Sequence, residues 1–164
     1  MKELLILRHA HTGWTEAGTP DHQRPLSPRG RSDAPRVGRM LRDRELLPDL
    51  ILTSTAERAR ATGLLVGESS GFAGPLRHRG ELYLADPFVH LEVLAQLARA
   101  HPRVLIVGHN PGLEALVLVL TGEQVELSAG ALARLRLPID RWSDLGSMSR
   151  GALVHVWRPE EIEP

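Results

Sequence analysis

The sequence predicts an α/β fold, a three-layer α/β/α sandwich in which helices cover both faces of a central, mainly parallel sheet. Strand and helix patterns alternate along the 164 residues, which is typical of parallel strands joined by helices. Two short apolar runs, residues 4–7 and 104–107, have the composition of strands buried on both faces. Neither a repeat nor a linker interrupts the pattern, so residues 1–164 are expected to form one domain.

The predicted strands are short apolar or alternating segments bounded by turn residues. They cover 3–8, 50–53, part of 77–84, 103–108, 131–137 and 152–157. The segment within 77–84 is short and polar, and it is expected to lie at an edge of the sheet.

Four helices are predicted between these strands. Ser27 followed by Pro28 has the pattern of an N-cap and a first-turn proline, and the helix it begins ends near Leu47. The other helices cover about 56–67, begin at residue 87, and run from 111 to 120, where Gly122 ends the last one. Residues 69–75 and 138–150 are expected to be loops, the second a polar loop or hairpin tip. Residues 11–26 form a loop long enough to suggest a function.

Composition excludes several classes of protein. The chain has no cysteine, which rules out disulfides, a thiolate nucleophile and thiolate metal sites. Its formal net charge is zero, so no bulk attraction to nucleic acid or to a membrane surface is expected. The first apolar run is too short for a signal peptide, and no run approaches the length of a membrane helix. The expected location is the cytoplasm.

Three charged or imidazole side chains follow predicted strands. Arg8 and His9 lie at the end of the first strand, and His109 follows the fourth. Arg58 falls in the first turn of the helix after the second strand, although a surface ion pair with Glu57 or Glu81 is an alternative for it. Because the carboxyl ends of parallel strands share one edge of the sheet, these groups are expected to meet there. Guanidinium and imidazole groups suit a phosphate, and a neutral imidazole can attack phosphorus.

The sequence contains no pattern for a metal or a nucleotide cofactor. The six other histidines form no His-Glu-x-x-His motif and no i, i+4 pair on a predicted helix. Glycine-rich phosphate loops of the GxxxxGK[ST] and GxGxxG types are also missing. We therefore expect neither a metal nor a cofactor.

Four motifs in the same order resemble the histidine phosphatase superfamily, and most closely its SixA-like phosphohistidine phosphatases. The motifs are LRHA at 7–10 with Thr12 and Trp14, RPLSPRG at 24–30, STAERA at 54–59 with Thr62, and VGHNPG at 107–112. They span about residues 3–122. The resemblance implies a phosphoglycerate mutase-like fold.

The resemblance also implies a role for each site residue. His9 would be the nucleophile that is transiently phosphorylated, and Arg8, Arg58 and His109 would surround the phosphoryl oxygens. Arg24 would lie near the pocket mouth, where a substrate contact is one alternative and a structural role beneath the helix start is the preferred one.

One departure from the family concerns the proton donor. Members that cleave ordinary phosphate esters often carry a carboxylic acid in a Leu-x-Glu piece, and here the corresponding stretch is Leu82-Tyr83-Leu84. Glu81 and Asp86 flank it and are the two alternatives for the acid. The expectation is that the acid is missing, which favours substrates whose leaving group departs without help.

The predicted function is a metal-independent phosphatase that forms a phosphohistidine and acts on phosphohistidine proteins or activated phosphate monoesters. Its partner would be a phosphorylated protein or a small phosphate, with neither nucleic acid nor membrane involved. Two alternatives stay open: a small-molecule phosphatase or phosphomutase on the same scaffold, and a non-catalytic module that binds phosphate. The sequence leaves the oligomeric state open.

Overall fold

The computed structural model describes residues 1–148 and 150–164, which form a six-stranded sheet with helices on both faces. The strands are β1 (Lys2–Arg8), β2 (Leu50–Ser54), β3 (Leu76–Arg79), β4 (Arg103–Gly108), β5 (Leu132–Leu137) and β6 (Ala152–Trp157). Their order across the sheet is β3-β2-β4-β1-β5-β6. Neighbours among the first four are parallel, and β5 and β6 add an antiparallel pair at one edge. The mainly parallel sheet of the prediction is confirmed.

Two helices lie on each face of the sheet. The helices are α1 (Pro28–Asp43), α2 (Glu57–Ser70), α3 (Pro87–Ala95) and α4 (Gly112–Thr121). The core on one side combines α1 and α2 with β-strand residues such as Leu5 and Leu7. The core on the other side combines α3 and α4 with Leu4 and Ile6. Successive side chains of β1 therefore enter opposite cores, which explains why its apolar run is continuous. The three-layer sandwich is confirmed.

The helix ends follow the expected local chemistry. The Ser27 hydroxyl accepts the Gly30 N–H at the start of α1, with Pro28 as the first helical residue. Gly122 ends α4 in the left-handed conformation, with φ of 76°. Strands from near both ends of the chain, β1 and β6, belong to the same sheet and flank β5. The single domain over residues 1–164 stays a prediction.

Two helix boundaries differ from the prediction. The first helix ends at Asp43 rather than near Leu47, because Glu45 is left-handed and the Leu46 N–H bonds back to the Leu41 carbonyl at 2.8 Å. The second helix continues through Ser70, and left-handed Gly71 then ends it, so the predicted loop begins later. Both ends have the geometry of a Schellman motif, which depends on one left-handed residue beyond the helix.

Two segments outside the helices also differ. The edge strand is confirmed as β3, but it ends at Arg79, and residues 80–82 turn inward as a 3₁₀ helix that buries Leu82. The connection from β5 to β6 is not purely polar, because its 3₁₀ helix Trp142–Ser147 carries a fully buried Trp142. The Trp142 indole N–H donates to the His101 carbonyl at 2.8 Å, which satisfies the one polar atom of that side chain.

Within residues 1–148 and 150–164, no helix has both the length and the apolar composition needed to span a lipid bilayer.

The two tryptophans Trp142 and Trp14 form a matched pair for testing the core. Trp142 is 0 % exposed and Trp14 is 88 % exposed. Trp142→Ala should lower the free energy of unfolding by about 3–5 kcal/mol, because it leaves a large cavity in the core on the α3 and α4 side of the sheet. Trp14→Ala should leave that free energy within about 0.5 kcal/mol of the wild type. Urea unfolding followed by circular dichroism measures both, and equal effects would contradict the assigned core.

Candidate active site

The two histidines of the sequence motifs lie side by side at the carboxyl edge of the sheet. β1 and β4 are parallel neighbours with Arg8 opposite Gly108, and the His9 N–H donates to the Gly108 carbonyl at 3.0 Å. His9 and His109 come next along each chain, and their ring centroids are 5.4 Å apart. Both side chains are buried, so the pair forms the floor of the site.

His9 is held as a neutral ring with one free lone pair. Its Nδ1 lies 2.8 Å from the Ala10 carbonyl oxygen, and because a carbonyl only accepts, the proton resides on Nδ1. Nε2 is therefore the unprotonated nitrogen. Burial lowers the pKa of His9 to about 4, and the guanidinium groups of Arg58 and Arg8 act in the same direction. At neutral pH His9 presents an imidazole lone pair, which is the form a nucleophile requires.

His109 is fixed by a serine at the end of β2. Its Nε2 lies 2.8 Å from the Ser54 hydroxyl oxygen, which also accepts the Ala56 N–H at 3.1 Å. The serine proton is thus available for Nε2, which leaves the His109 proton on Nδ1. Nδ1 is buried without a hydrogen-bond partner among the described residues. Burial, followed by the charge of Arg58, lowers the pKa of His109 to about 3, so the ring is a neutral donor.

Arg8 is anchored from outside the strand. Its Nη1 donates to the Leu127 carbonyl at 3.0 Å, and the Asn110 side-chain amide donates to the same oxygen at 2.8 Å. The Leu127 N–H in turn donates to Glu114 on α4 at 3.1 Å. The loop between α4 and β5 therefore fixes the Arg8 guanidinium.

Arg58 lies in the first turn of α2, as predicted, and is 4 % exposed. The alternative of an ion pair with Glu57 or Glu81 is wrong. Its partner is Asp21, which accepts Nη1 on its backbone carbonyl at 2.7 Å and Nη2 on its carboxylate at 3.0 Å. Each terminal nitrogen of Arg58 thus donates one proton to Asp21, and the remaining N–H donors of the guanidinium are not used in this contact.

Asp21 and Tyr83 belong to the site and were not identified from the sequence. The Tyr83 hydroxyl donates to the Asp21 carboxylate at 2.5 Å, and the Tyr83 ring lies edge-on to His109 with centroids 5.6 Å apart. His22 joins them by an edge contact with Tyr83 at 4.8 Å. The bond from Tyr83, together with those from Arg58 and Arg24, lowers the pKa of Asp21 to about 2. Two features of the sequence could have indicated them: the long loop at 11–26, which contains Asp21, and the Leu82-Tyr83-Leu84 stretch.

Arg24 lies at the pocket rather than beneath the start of α1. Its guanidinium donates to the Thr12 hydroxyl at 3.0 Å and pairs with Asp21 at 3.4 Å. The structural role beneath the helix start belongs instead to His11, whose Nδ1 is 2.7 Å from the Ser27 hydroxyl and whose carbonyl accepts the Ser27 N–H at 2.9 Å.

The two carboxylates considered as proton donors are engaged elsewhere. Glu81 pairs with Arg79 at 2.5 Å on the exposed side of the chain, and the Asp86 carboxylate caps α3 through the N–H of Phe88 at 2.8 Å. Leu84 is exposed and left-handed, with φ of 48°, so the stretch that contains it is not the predicted strand.

The residues brought together favour an oxyanion ligand. Arg8, Arg24 and Arg58 surround two neutral imidazoles, and guanidinium forks match the geometry of phosphate oxygens. Within the described residues, no group of three or more histidine, cysteine or acidic side chains is arranged to hold a metal ion.

Comparison with known proteins identifies the family. The sequence profile of the histidine phosphatase superfamily (branch 1) matches residues 4–83. An uncharacterized protein of Mycobacterium leprae is 33 % identical over 161 residues, which are 96 % of this chain and 93 % of that protein. The chain belongs to the histidine phosphatase superfamily.

Solved structures place the chain among the SixA-like histidine phosphatases. A candidate phosphohistidine phosphatase SixA from Nakamurella multipartitia superposes with a TM-score of 0.84 at 29 % identity, over 96 % of both chains. A candidate SixA from Agrobacterium tumefaciens gives 0.82 at 27 % identity, over 96 % of this chain and 98 % of that one. The phosphoglycerate mutase-like fold is confirmed, and the family supports phosphatase activity.

The state of His9 can be measured directly. Long-range ¹H–¹⁵N correlation spectra should show Nδ1 protonated and Nε2 unprotonated from pH 8 down to about pH 5. Because burial lowers its pKa to about 4, protonation of Nε2 should begin only as the pH falls toward that value. The same ring in the urea-unfolded chain should titrate near about 6.5. A folded-state titration at the unfolded value would contradict the neutral assignment.

Proposed function

We propose that the protein is a metal-independent phosphatase that transfers the phosphoryl group of its substrate to His9 and then to water. The observation that carries the proposal is the state of His9. It is a buried ring whose Nδ1 is committed to the Ala10 carbonyl, so that Nε2 is neutral and unprotonated among three guanidinium groups. A nucleophile and a set of oxyanion donors in one pocket are the parts that phosphoryl transfer needs.

In the first step Nε2 of His9 attacks phosphorus, a nitrogen–phosphorus bond forms, and the bond to the leaving group breaks. The leaving group departs with the electron pair. Arg8, Arg58 and Nδ1–H of His109 donate to the phosphoryl oxygens and stabilise their charge in the transition state. Because Nδ1 of His9 keeps its proton, the phosphorylated ring is cationic, and the Ala10 carbonyl at 2.8 Å stabilises that cation.

In the second step water attacks the phosphorylated His9. The nitrogen–phosphorus bond breaks, the electron pair returns to Nε2, and the ring leaves as the neutral imidazole of the resting state. The cationic ring formed in the first step is a good leaving group for this reason. The products are inorganic phosphate and free enzyme, so the cycle requires neither a metal nor a cofactor.

The proposed substrates are phosphohistidine proteins or activated phosphate monoesters. Glu81 pairs with Arg79, Asp86 caps a helix, and the carboxylate of Asp21 is ionised at neutral pH because Tyr83 and the arginines lower its pKa to about 2. None of these three carboxyl groups is therefore placed as a neutral acid that could protonate an alkoxide leaving group. Substrates whose leaving group departs easily suit such a site.

The direct test is to trap the phosphorylated enzyme. Incubation with a labelled phosphoryl donor in the presence of EDTA, followed by rapid quenching, should give an acid-labile, alkali-stable phosphohistidine that peptide mapping assigns to His9. His9→Ala should fold normally and lose both the label and turnover. His155→Ala, which changes an exposed histidine on β6, should keep both.

Two outcomes would contradict the assignment. Full turnover by His9→Ala would exclude His9 as the nucleophile. Tight phosphate binding by the wild type without label or turnover would favour the alternative of a non-catalytic phosphate-binding module.

The absence of a positioned acid predicts a steep dependence on the leaving group. The wild-type kcat/KM should fall by at least ~10²-fold from 4-nitrophenyl phosphate to glycerol phosphate, since a positioned acid is worth typically ~10²–10⁴-fold. Steady-state kinetics over a series of aryl and alkyl phosphates gives the slope. Equal rates would mean that a donor exists and would favour the small-molecule phosphatase or phosphomutase. Glu81→Gln and Asp86→Asn would then identify the donor.

A further inference from the structure

Asp21 introduces a negative charge into a pocket otherwise built from positive and neutral groups. Its carboxylate accepts from Arg58 at 3.0 Å and from Tyr83 at 2.5 Å, and its other oxygen pairs with Arg24 at 3.4 Å. Its backbone carbonyl accepts from Arg58 as well. The carboxylate is therefore bonded directly to Arg58, one of the oxyanion donors, and its side chain is 46 % exposed at the mouth of the site.

We propose that Asp21 is a specificity residue that selects substrates whose leaving group is neutral or cationic and rejects those with a second anionic group beside the phosphoryl group. This inference rests on the proposed phosphatase function and names the charge class of its substrates. The leaving group must lie on the side of the phosphorus opposite His9, toward the solvent-exposed mouth.

A charge count supports this selection. Arg8, Arg24 and Arg58 carry three positive charges and Asp21 removes one, while His9 and His109 are neutral at pH 7 because burial lowers the pKa of each. The net charge of plus two matches a phosphate monoester, whose charge approaches minus two. Among these four charged side chains, a further anion on the substrate meets no unmatched cation, and it faces the Asp21 carboxylate.

A phosphorylated imidazole satisfies the same constraint with a favourable interaction. Its ring is protonated before the nitrogen–phosphorus bond breaks, so it brings a positive charge to the mouth. There it meets the Asp21 carboxylate and the edge-on rings of Tyr83 and His22, whose centroids are 4.8 Å apart. Opposite charges in a partly desolvated site attract, and like charges repel by a similar amount.

The competing explanation is that Asp21 only positions Arg58. A positioning residue changes the rate for every substrate by the same factor, because each substrate places the same phosphoryl group on Arg58. A charge filter changes the ratio between substrates that differ in the charge of the leaving group. The ratio therefore separates the two roles.

The test uses three aryl phosphates of similar shape: 3-(aminomethyl)phenyl, 3-carbamoylphenyl and 3-carboxyphenyl phosphate, which carry a cationic, a neutral and an anionic leaving group. Asp21→Asn should lower the ratio of kcat/KM for the cationic substrate over the anionic one by about tenfold or more. Asp21→Glu, which keeps the charge, should hold that ratio within about threefold of the wild type. The Asp21→Asn effect should shrink as salt is raised.

The matched control is Asp140→Asn. Asp140 pairs with the N-terminal amine at 3.2 Å, before β1 begins, at the edge of the sheet opposite His9. It should leave all three rates unchanged. Circular dichroism confirms that each variant is folded.

Several outcomes decide the matter. An equal loss by Asp21→Asn on all three substrates, or no change in their ratio, overturns the specificity role while leaving the phosphatase intact. Failure of the wild type to turn over any of the three, with no phosphohistidine at His9, overturns the proposed function and this inference with it.

Discussion

The parallel pairing of β1 with β4 is the constraint on which the rest of the site depends. Their register sets Arg8 opposite Gly108, and His9 and His109 follow at the same edge of the sheet. Both strands are apolar runs buried on both faces, and their alternate side chains pack into two different cores. A slip of one residue along either strand would turn each of its side chains into the opposite core. The 5.4 Å separation of the two rings is therefore a consequence of how the hydrophobic core is built.

Burying the polar groups of the site costs little free energy, because nearly every one has a specific hydrogen-bond partner. His9 and His109 are neutral, since burial lowers both pKa values, and a neutral imidazole costs far less to bury than a charged one. The two arginines that must stay charged are held by a carbonyl and by Asp21. His109 Nδ1 and Arg8 Nε are buried without partners among the described residues. Unmet donors of this kind in a preformed pocket are suited to an incoming oxyanion.

Arg58 shows how one side chain links the pocket to the long loop that precedes α1. The sequence places it correctly in the first turn of α2, but its partner lies 37 residues earlier, in the 3₁₀ helix Asp21–Gln23. That contact also draws in Tyr83, from the segment after β3. Arg24 joins the same cluster rather than the helix start, so the loop completes the mouth of the site with charged and aromatic groups.

Local patterns in the sequence were enough to predict the fold class, the central strands, most helix starts and the positions of Arg8, His9, Arg58 and His109. These depend on local signals: apolar runs, an N-cap serine, and side chains that directly follow strands. Three features are visible only in the folded chain: the Asp21–Arg58–Tyr83 cluster, the place of Arg24, and the burial of Trp142 in a connection with a polar sequence. Contacts between loops distant in the chain leave no periodic pattern, because they depend on which elements the finished sheet brings together.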